Sequence, residues 1–187
     1  MTARDMKPKF LLLDANIIIV AYEIGMWKTL TTHYEVLVPS IVVNDEALFQ
    51  KKNRSIPRDI ALPELVRNKE ITEVSATVQE MASLLAKFDE TFQAQIHKGE
   101  AEALALLNTD KIPTECFYCT GDKIAIQVLS MLGFADKGIS LEALFDHIKV
   151  RLKAPLDIQY TKRFFSEQGT VGGFNLISGT GLNKKSG

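Results

Sequence analysis

The segment Lys9 to Asp14 constrains this chain more than any other. It reads Lys-Phe-Leu-Leu-Leu-Asp, four large apolar residues running directly into a carboxylate. An unbroken apolar run of this length suits a strand buried on both faces, the kind found in parallel sheets covered by helices. The rest of the body alternates helix and strand in the same style. Asn16 is placed to cap a helix over 16–27, whose inner face comes from Ile17, Val20, Ala21 and Ile24. A short strand is expected over Glu35–Val38, then a helix over 40–52 opened by Pro39-Ser40. Residues 53–63 hold two prolines and several charges and read as a loop. A third strand is expected within 70–75. Thr77 then caps a helix over 78–88, with Val78, Met81, Leu84, Leu85 and Phe88 at helical spacing. Residues 98–108 form an alanine- and leucine-rich helix entered at Gly99, and 115–122 a strand ending at Asp122. The helices over 123–133, stopped by Gly133, and 140–148, capped by Ser140, complete the body. This order predicts an α/β fold: a parallel central sheet of about five strands flanked by helices, with a C-terminal extension.

Length and composition agree with one such domain. The chain has 187 residues, 46% hydrophobic and 24% charged, enough to bury a core without covalent staples. Only Cys116 and Cys119 are present, so no disulfide framework exists and a reducing, cytoplasmic home is expected. The apolar runs near the start are short and interrupted by Asp14 and Asn16, which excludes a membrane span there. Residues 1–148 carry 15 Lys+Arg against 21 Asp+Glu, net −6, whereas 149–187 carry 7 against 2, net +5. The expected organisation is therefore an acidic body over 1–148 and a basic, glycine-rich extension over 149–187. In that extension 157–168 is a helix candidate, and the stretch from Gly169 onward is expected to be partly flexible.

Four acids carry the chemical signal. Asp14 and Asp122 close two predicted strands, and ligands of open parallel sheets bind outside the carboxyl ends of strands. Glu46 falls about two turns into the helix after the second strand, with adjacent Asp45 as the alternative inward acid. Glu100 falls in the first turn of its helix, at the same edge. Carboxylates brought together in one cleft repel, and a cation relieves that repulsion. Oxygen-only ligands favour Mg2+ or Mn2+ over zinc, and such ions support in-line displacement at a phosphodiester. Glu102 lies two positions from Glu100, about 200° around the helix. The two cannot face one ion, and Glu100 is preferred because Ala103, Leu104 and Leu107 share its side.

The segments Phe-Leu-Leu-Leu-Asp-Ala-Asn (10–16), Val-Pro-Ser-Ile-Val-Val-Asn-Asp-Glu (38–46), Gly-Glu-Ala-Glu-Ala-Leu-Ala (99–105) and Phe-Tyr-Cys-Thr-Gly-Asp (117–122) resemble, in this order, the acidic motifs of PIN-domain ribonucleases. The resemblance spans roughly Lys9 to Ile148. It implies a three-layer fold and cleavage of RNA with Mg2+ or Mn2+. It also implies Asp14, Glu46, Glu100 and Asp122 as catalytic, metal-binding acids, supported by Asn16 and Thr120 as residues that orient the aspartates. Many members are toxins paired with an antitoxin and dimers are common, so an antitoxin or a second copy is an implied partner besides RNA. The chain departs from small toxin-like members in its length, in an expanded 50–98 region and in its basic tail.

Other signals are weaker. Lys51, Lys52 and Arg54 come after the helix that carries Glu46 and are candidate contacts to RNA phosphates. Cys116 and Cys119 lie three apart in a predicted strand, so they point to opposite faces and read as core. His33, His97 and His147 are scattered and read as surface or helix-end residues. The rival reading from another class is a catalytically weak scaffold of the same fold that docks RNA or a protein.

Overall fold

The computed structural model describes residues 9–44, 49–50 and 58–183. In chain order the strands are β1 (Phe10–Leu13), β2 (Glu35–Pro39), β3 (Phe49–Gln50), β4 (Arg58–Asp59), β5 (Thr72–Val74), β6 (Cys116–Cys119) and β7 (Gly138–Ile139). The helices are α1 (Ala15–Glu23), α2 (Trp27–His33), α3 (Ser40–Asn44), α4 (Leu62–Arg67), α5 (Val78–Leu85), α6 (Glu90–Gln93), α7 (Lys98–Leu106), α8 (Lys123–Met131), α9 (Leu141–His147) and α10 (Lys162–Ser178). Five strands make one all-parallel sheet in the order β5-β2-β1-β6-β7, while β3 and β4 form a separate antiparallel pair. The protein is thus α/β, with its parallel sheet between helical layers.

Alternation along the strands explains the layers. Leu11 and Leu13 of β1, Val36 and Val38 of β2 and Cys119 of β6 pack on one face with α1, α2 and α9. Leu12, Leu37, Cys116 and Tyr118 point the other way, into a core built with α5, α7 and α8. Successive side chains of a strand face opposite sides, so each short strand feeds both cores. Every residue of α7 from Gly99 to Leu106 is buried. Gly99, Ala101, Ala103 and Ala105 allow that close approach.

Several local signals act as expected. Thr77 caps α5 in a reciprocal capping box with Glu80. The Ser140 hydroxyl accepts from the Ala143 N–H at the start of α9, and Gly133 takes a left-handed conformation, φ 78°, after α8.

Other expectations are corrected. Asp14, not Asn16, occupies the N-cap position of α1, and Asn16 is exposed within the first turn. The helix after β2 does not run through 40–52. It is seen over Ser40–Asn44, and Phe49–Gln50 is extended and paired with Arg58–Asp59. The loop expected over 53–63 therefore contains a strand, and its last residues already belong to α4, with Pro63 in the first turn. Val78 faces solvent at 85% exposure rather than the core.

The glycine-rich segment expected to be flexible is helical through Ser178. Gly172 serves packing: a Cβ there would lie 2.3 Å from the Gln127 carbonyl oxygen. The Gln127 side chain also donates to Gln168 across the α8–α10 contact, at 2.8 Å. Backbone-to-backbone approach of two helices offsets the intrinsic helix penalty of glycine. Beyond α10 the Asn183 N–H donates to the Lys87 carbonyl and ties the chain to the end of α5. Among the described residues no helix is long and apolar enough to cross a membrane.

Candidate metal centre

In the order β5-β2-β1-β6-β7, the chain winds outward from β1 in one direction and then resumes at β6 on its other side. The crevice between the carboxyl ends of β1 and β6 is the topological switch point, where open α/β sheets bind ligands. Asp14 and Asp122 lie at its two sides. The Asp14 N–H donates to the Cys119 carbonyl at 3.2 Å, extending the β1–β6 ladder by one bond and fixing Asp14 at the edge.

Thr120 links the two aspartates. Its hydroxyl donates to Asp14 Oδ2 at 3.0 Å and accepts from the Asp122 N–H at 3.0 Å. Asp14 is 6% exposed and Thr120 fully buried. The Asp122 carboxylate caps α8: Oδ1 accepts from the N–H groups of Ile124 and Ala125 at 2.7 and 2.9 Å. Both bonds fall on one oxygen. Gly121, between Thr120 and Asp122, has no room for a side chain, because a Cβ there would sit 2.7 Å from the Tyr160 ring. The C-terminal extension thereby forms part of the wall behind the acids.

Glu100 joins from α7. Its Oε2 accepts from the His97 N–H at 3.1 Å and its Oε1 lies 3.1 Å from His97 Nδ1, so a residue one turn earlier holds the carboxylate. Burial pushes the Glu100 carboxyl above its usual range, and the Asp122 charge pushes it further, while the contacts with His97 oppose the shift. One ligand atom from each of His97, Glu100 and Asp122 falls within 4.8 Å of the others.

Glu102 is buried as deeply as Glu100 yet serves the scaffold. Its Oε1 accepts from the Ser40 hydroxyl at 2.8 Å and the Ala76 N–H at 3.1 Å, and its Oε2 from the Ile41 N–H at 2.7 Å. It thus binds the start of α3 to the end of β5. The roughly 200° between the glutamates separates a cluster-facing carboxylate from a structural one.

Tyr118 supplies a feature that sequence reasoning missed. Its side chain is fully buried, and its hydroxyl meets no partner in hydrogen-bonding geometry, although Thr120 lies close. Burial raises this phenol well above its ordinary value, and Asp14, Glu100 and Asp122 raise it further. Thr120 opposes that rise. A buried polar group without a partner is costly and rare, and an ordered water or an ion is the usual resolution. The donor set and this orphaned hydroxyl together fit a hydrated divalent cation.

Of the other expected site residues, Asn16 is exposed and its side chain makes no hydrogen bond to either aspartate among the described residues. Glu46, Lys51, Lys52 and Arg54 lie outside the described residues. His97, read from sequence as a surface or helix-end residue, is at a helix end and beside Glu100. The signal for that was the three-residue spacing of a capping box.

No protein-family model, curated protein or solved structure matches this chain.

Proposed function

We propose that this protein is a divalent-metal-dependent ribonuclease of the PIN type. The observation that carries the reading is the approach of His97, Glu100 and Asp122 to within 4.8 Å of one another at the carboxyl edge of the sheet, with Asp14 tied to the same crevice through Thr120. A lone carboxylate at a helix start needs no ligand to explain it. Three from separated parts of the chain, one with its carboxyl pushed upward by burial and by a neighbouring charge, are costly to assemble without a cation.

In this reading Glu100 and Asp122 hold Mg2+ or Mn2+, with Asp14 and Glu46 completing its surroundings. The ion, when bound, supplies positive charge for a phosphate and acidifies water. The chain's own contribution is orientation. Thr120 fixes Asp14 relative to Asp122, the first turn of α8 fixes the Asp122 carboxylate, and His97 fixes Glu100. Backbone N–H groups at the start of α8 add positive potential at the edge where a phosphate would approach. Lys51, Lys52 and Arg54 are proposed phosphate contacts, RNA the substrate, an antitoxin or a second copy a further partner, and the cytoplasm the setting.

Incubation of the full chain with a mixed RNA pool tests the proposal. Hydrolysis is expected with Mn2+, silence with chelator, and silence in Asp14→Asn and Asp122→Asn variants that remain folded. Full activity in both variants would remove the assignment. RNA retention without any cleavage would favour the scaffold reading instead.

A further inference from the structure

We propose that His97, Glu100 and Asp122 form a mixed nitrogen–oxygen site that selects a first-row transition ion over Mg2+, with the His97 imidazole as the ligand that sets the choice. This site deepens the metal-dependent reading and rests on it.

The fold brings the three residues together by placing two helix starts side by side. His97 is the N-cap residue of α7 and Glu100 stands one turn later, while Asp122 is the N-cap residue of α8. Their ligand atoms fall within 4.8 Å of one another. Nitrogen and oxygen ligands sit about 2.1 Å from such ions, so opposed ligands are about 4.2 Å apart. Small side-chain rotations close the remaining gap. Two of the ligands are held beforehand, Asp122 by two backbone N–H groups and Glu100 by that of His97.

A second observation points to a ligand independently of these three residues. The Tyr118 hydroxyl is fully buried and has no partner in full hydrogen-bonding geometry; Thr120 is near enough to lower its pKa, while the charges of Asp14, Glu100 and Asp122 raise it. In a dry cluster a phenol so placed would donate to a carboxylate. A buried donor of this kind is completed by an ordered polar neighbour, and a hydrated cation held by the cluster would supply one.

The His97 ring lies beside the Glu100 carboxylate, with Nδ1 3.1 Å from Oε1. Its side chain is 77% exposed. The part of His97 that braces Glu100 through a backbone bond is its N–H, which any residue but proline retains. What the ring adds is a nitrogen donor. Carboxylates and water alone suit Mg2+, whereas an imidazole moves preference toward transition ions along the usual order of stability. Three protein ligands would also leave coordination positions open to water and a phosphate oxygen.

The test uses the full chain, with Co2+ as probe because its visible absorption reports the ligand set, and Mg2+ as competitor. The wild type is expected to bind Co2+ and to resist displacement by equimolar Mg2+. His97→Ala should lower Co2+ affinity by about tenfold or more and shift the absorption band, while Mg2+ affinity changes by less than about twofold. Equal losses for both ions, or unchanged Co2+ binding, would overturn the assignment of His97. An unchanged melting temperature without metal shows that the variant is folded. Binding is read without RNA, so the two proposals fail separately. His97-dependent Co2+ binding by a chain inert toward RNA would refute the nuclease and keep the site. RNA cleavage with an unaltered ion preference in His97→Ala would do the reverse.

Discussion

Glu100 and Glu102 are separated by one residue, buried to similar degrees and identical in chemistry, yet the fold gives them opposite duties. Replacing each by glutamine tests that division. At Glu102 the amide keeps one acceptor oxygen where the carboxylate has two. Whichever way it is turned, either the Ile41 N–H or the pair of Ser40 and Ala76 donors faces an NH2 group. A buried backbone donor without an acceptor costs about 1–3 kcal/mol, and the lost charge assistance adds about 1 kcal/mol. The sum, about 2–4 kcal/mol, lowers the melting temperature of a domain this size by about 5–15 °C. Metal binding should survive.

Glu100→Gln should behave in the opposite way. Glutamine serves equally in a capping box, so the start of α7 is kept. Burial and the Asp122 charge raise the Glu100 carboxyl, so the native state holds that proton more tightly than the unfolded chain does. Stability without metal therefore falls as pH rises from the ordinary glutamate range to the raised folded value, and the deficit persists above it. The glutamine variant lacks this deficit. At neutral pH its metal-free form should melt at or above the wild-type temperature, while Mn2+ binding in calorimetry is lost. Binding of metal requires the ionised carboxylate, so wild-type affinity should also weaken as pH falls through that raised value. A Glu102→Gln variant as stable as the wild type, or one that loses Mn2+ while Glu100→Gln keeps it, would show the division of duties to be wrong.

Packing sets two further outcomes. Gly172→Ala should destabilise the protein by about 1–3 kcal/mol, because its Cβ meets the Gln127 backbone. Gly173→Ala, whose Cβ has nothing within 4 Å, should stabilise it by about 0.5–1 kcal/mol; chemical unfolding of both variants checks the contrast. Cys116 and Cys119 are buried, with burial pushing the Cys116 thiol up to about 12 and the Cys119 thiol well above its ordinary value. An aromatic disulfide reagent should therefore label neither in native protein and both in denaturant, and rapid native labelling would contradict the core placement.

The elements that were legible in the sequence are those with strong local signals. The apolar run of β1, the Thr77 and Ser140 caps and the glycine after α8 each act through neighbours a few residues away. The short strand β7 offers two residues, Gly138 and Ile139, too few for any period to show. The α10 helix was obscured for a different reason. Its glycines argue for flexibility locally, and only the approach of α8, about 45 positions earlier in the chain, makes Gly172 suitable for this helix.

The site divides along the same line. Acids at strand ends and helix starts were readable because an open parallel sheet directs its carboxyl edge to ligands. The inward preference of Glu100 was readable too, but the burial of Glu102 was not. Its three donors come from Ser40, Ile41 and Ala76, on other elements. Tyr118 reads locally as one more apolar strand position, since its hydroxyl gains meaning only from carboxylates brought in by β1, α7 and α8. Asn16 shows the converse: a plausible cap by residue type, displaced by Asp14 one step before the helix.

Whether the gathered acids hold a cation is decided by anomalous diffraction from a crystal of the full chain soaked in Mn2+. A manganese peak is expected at the β1–β6 crevice, within bonding distance of the Glu100 and Asp122 carboxylates. A crevice without a peak in a soaked crystal, with those carboxylates turned away from each other, would contradict a metal centre there.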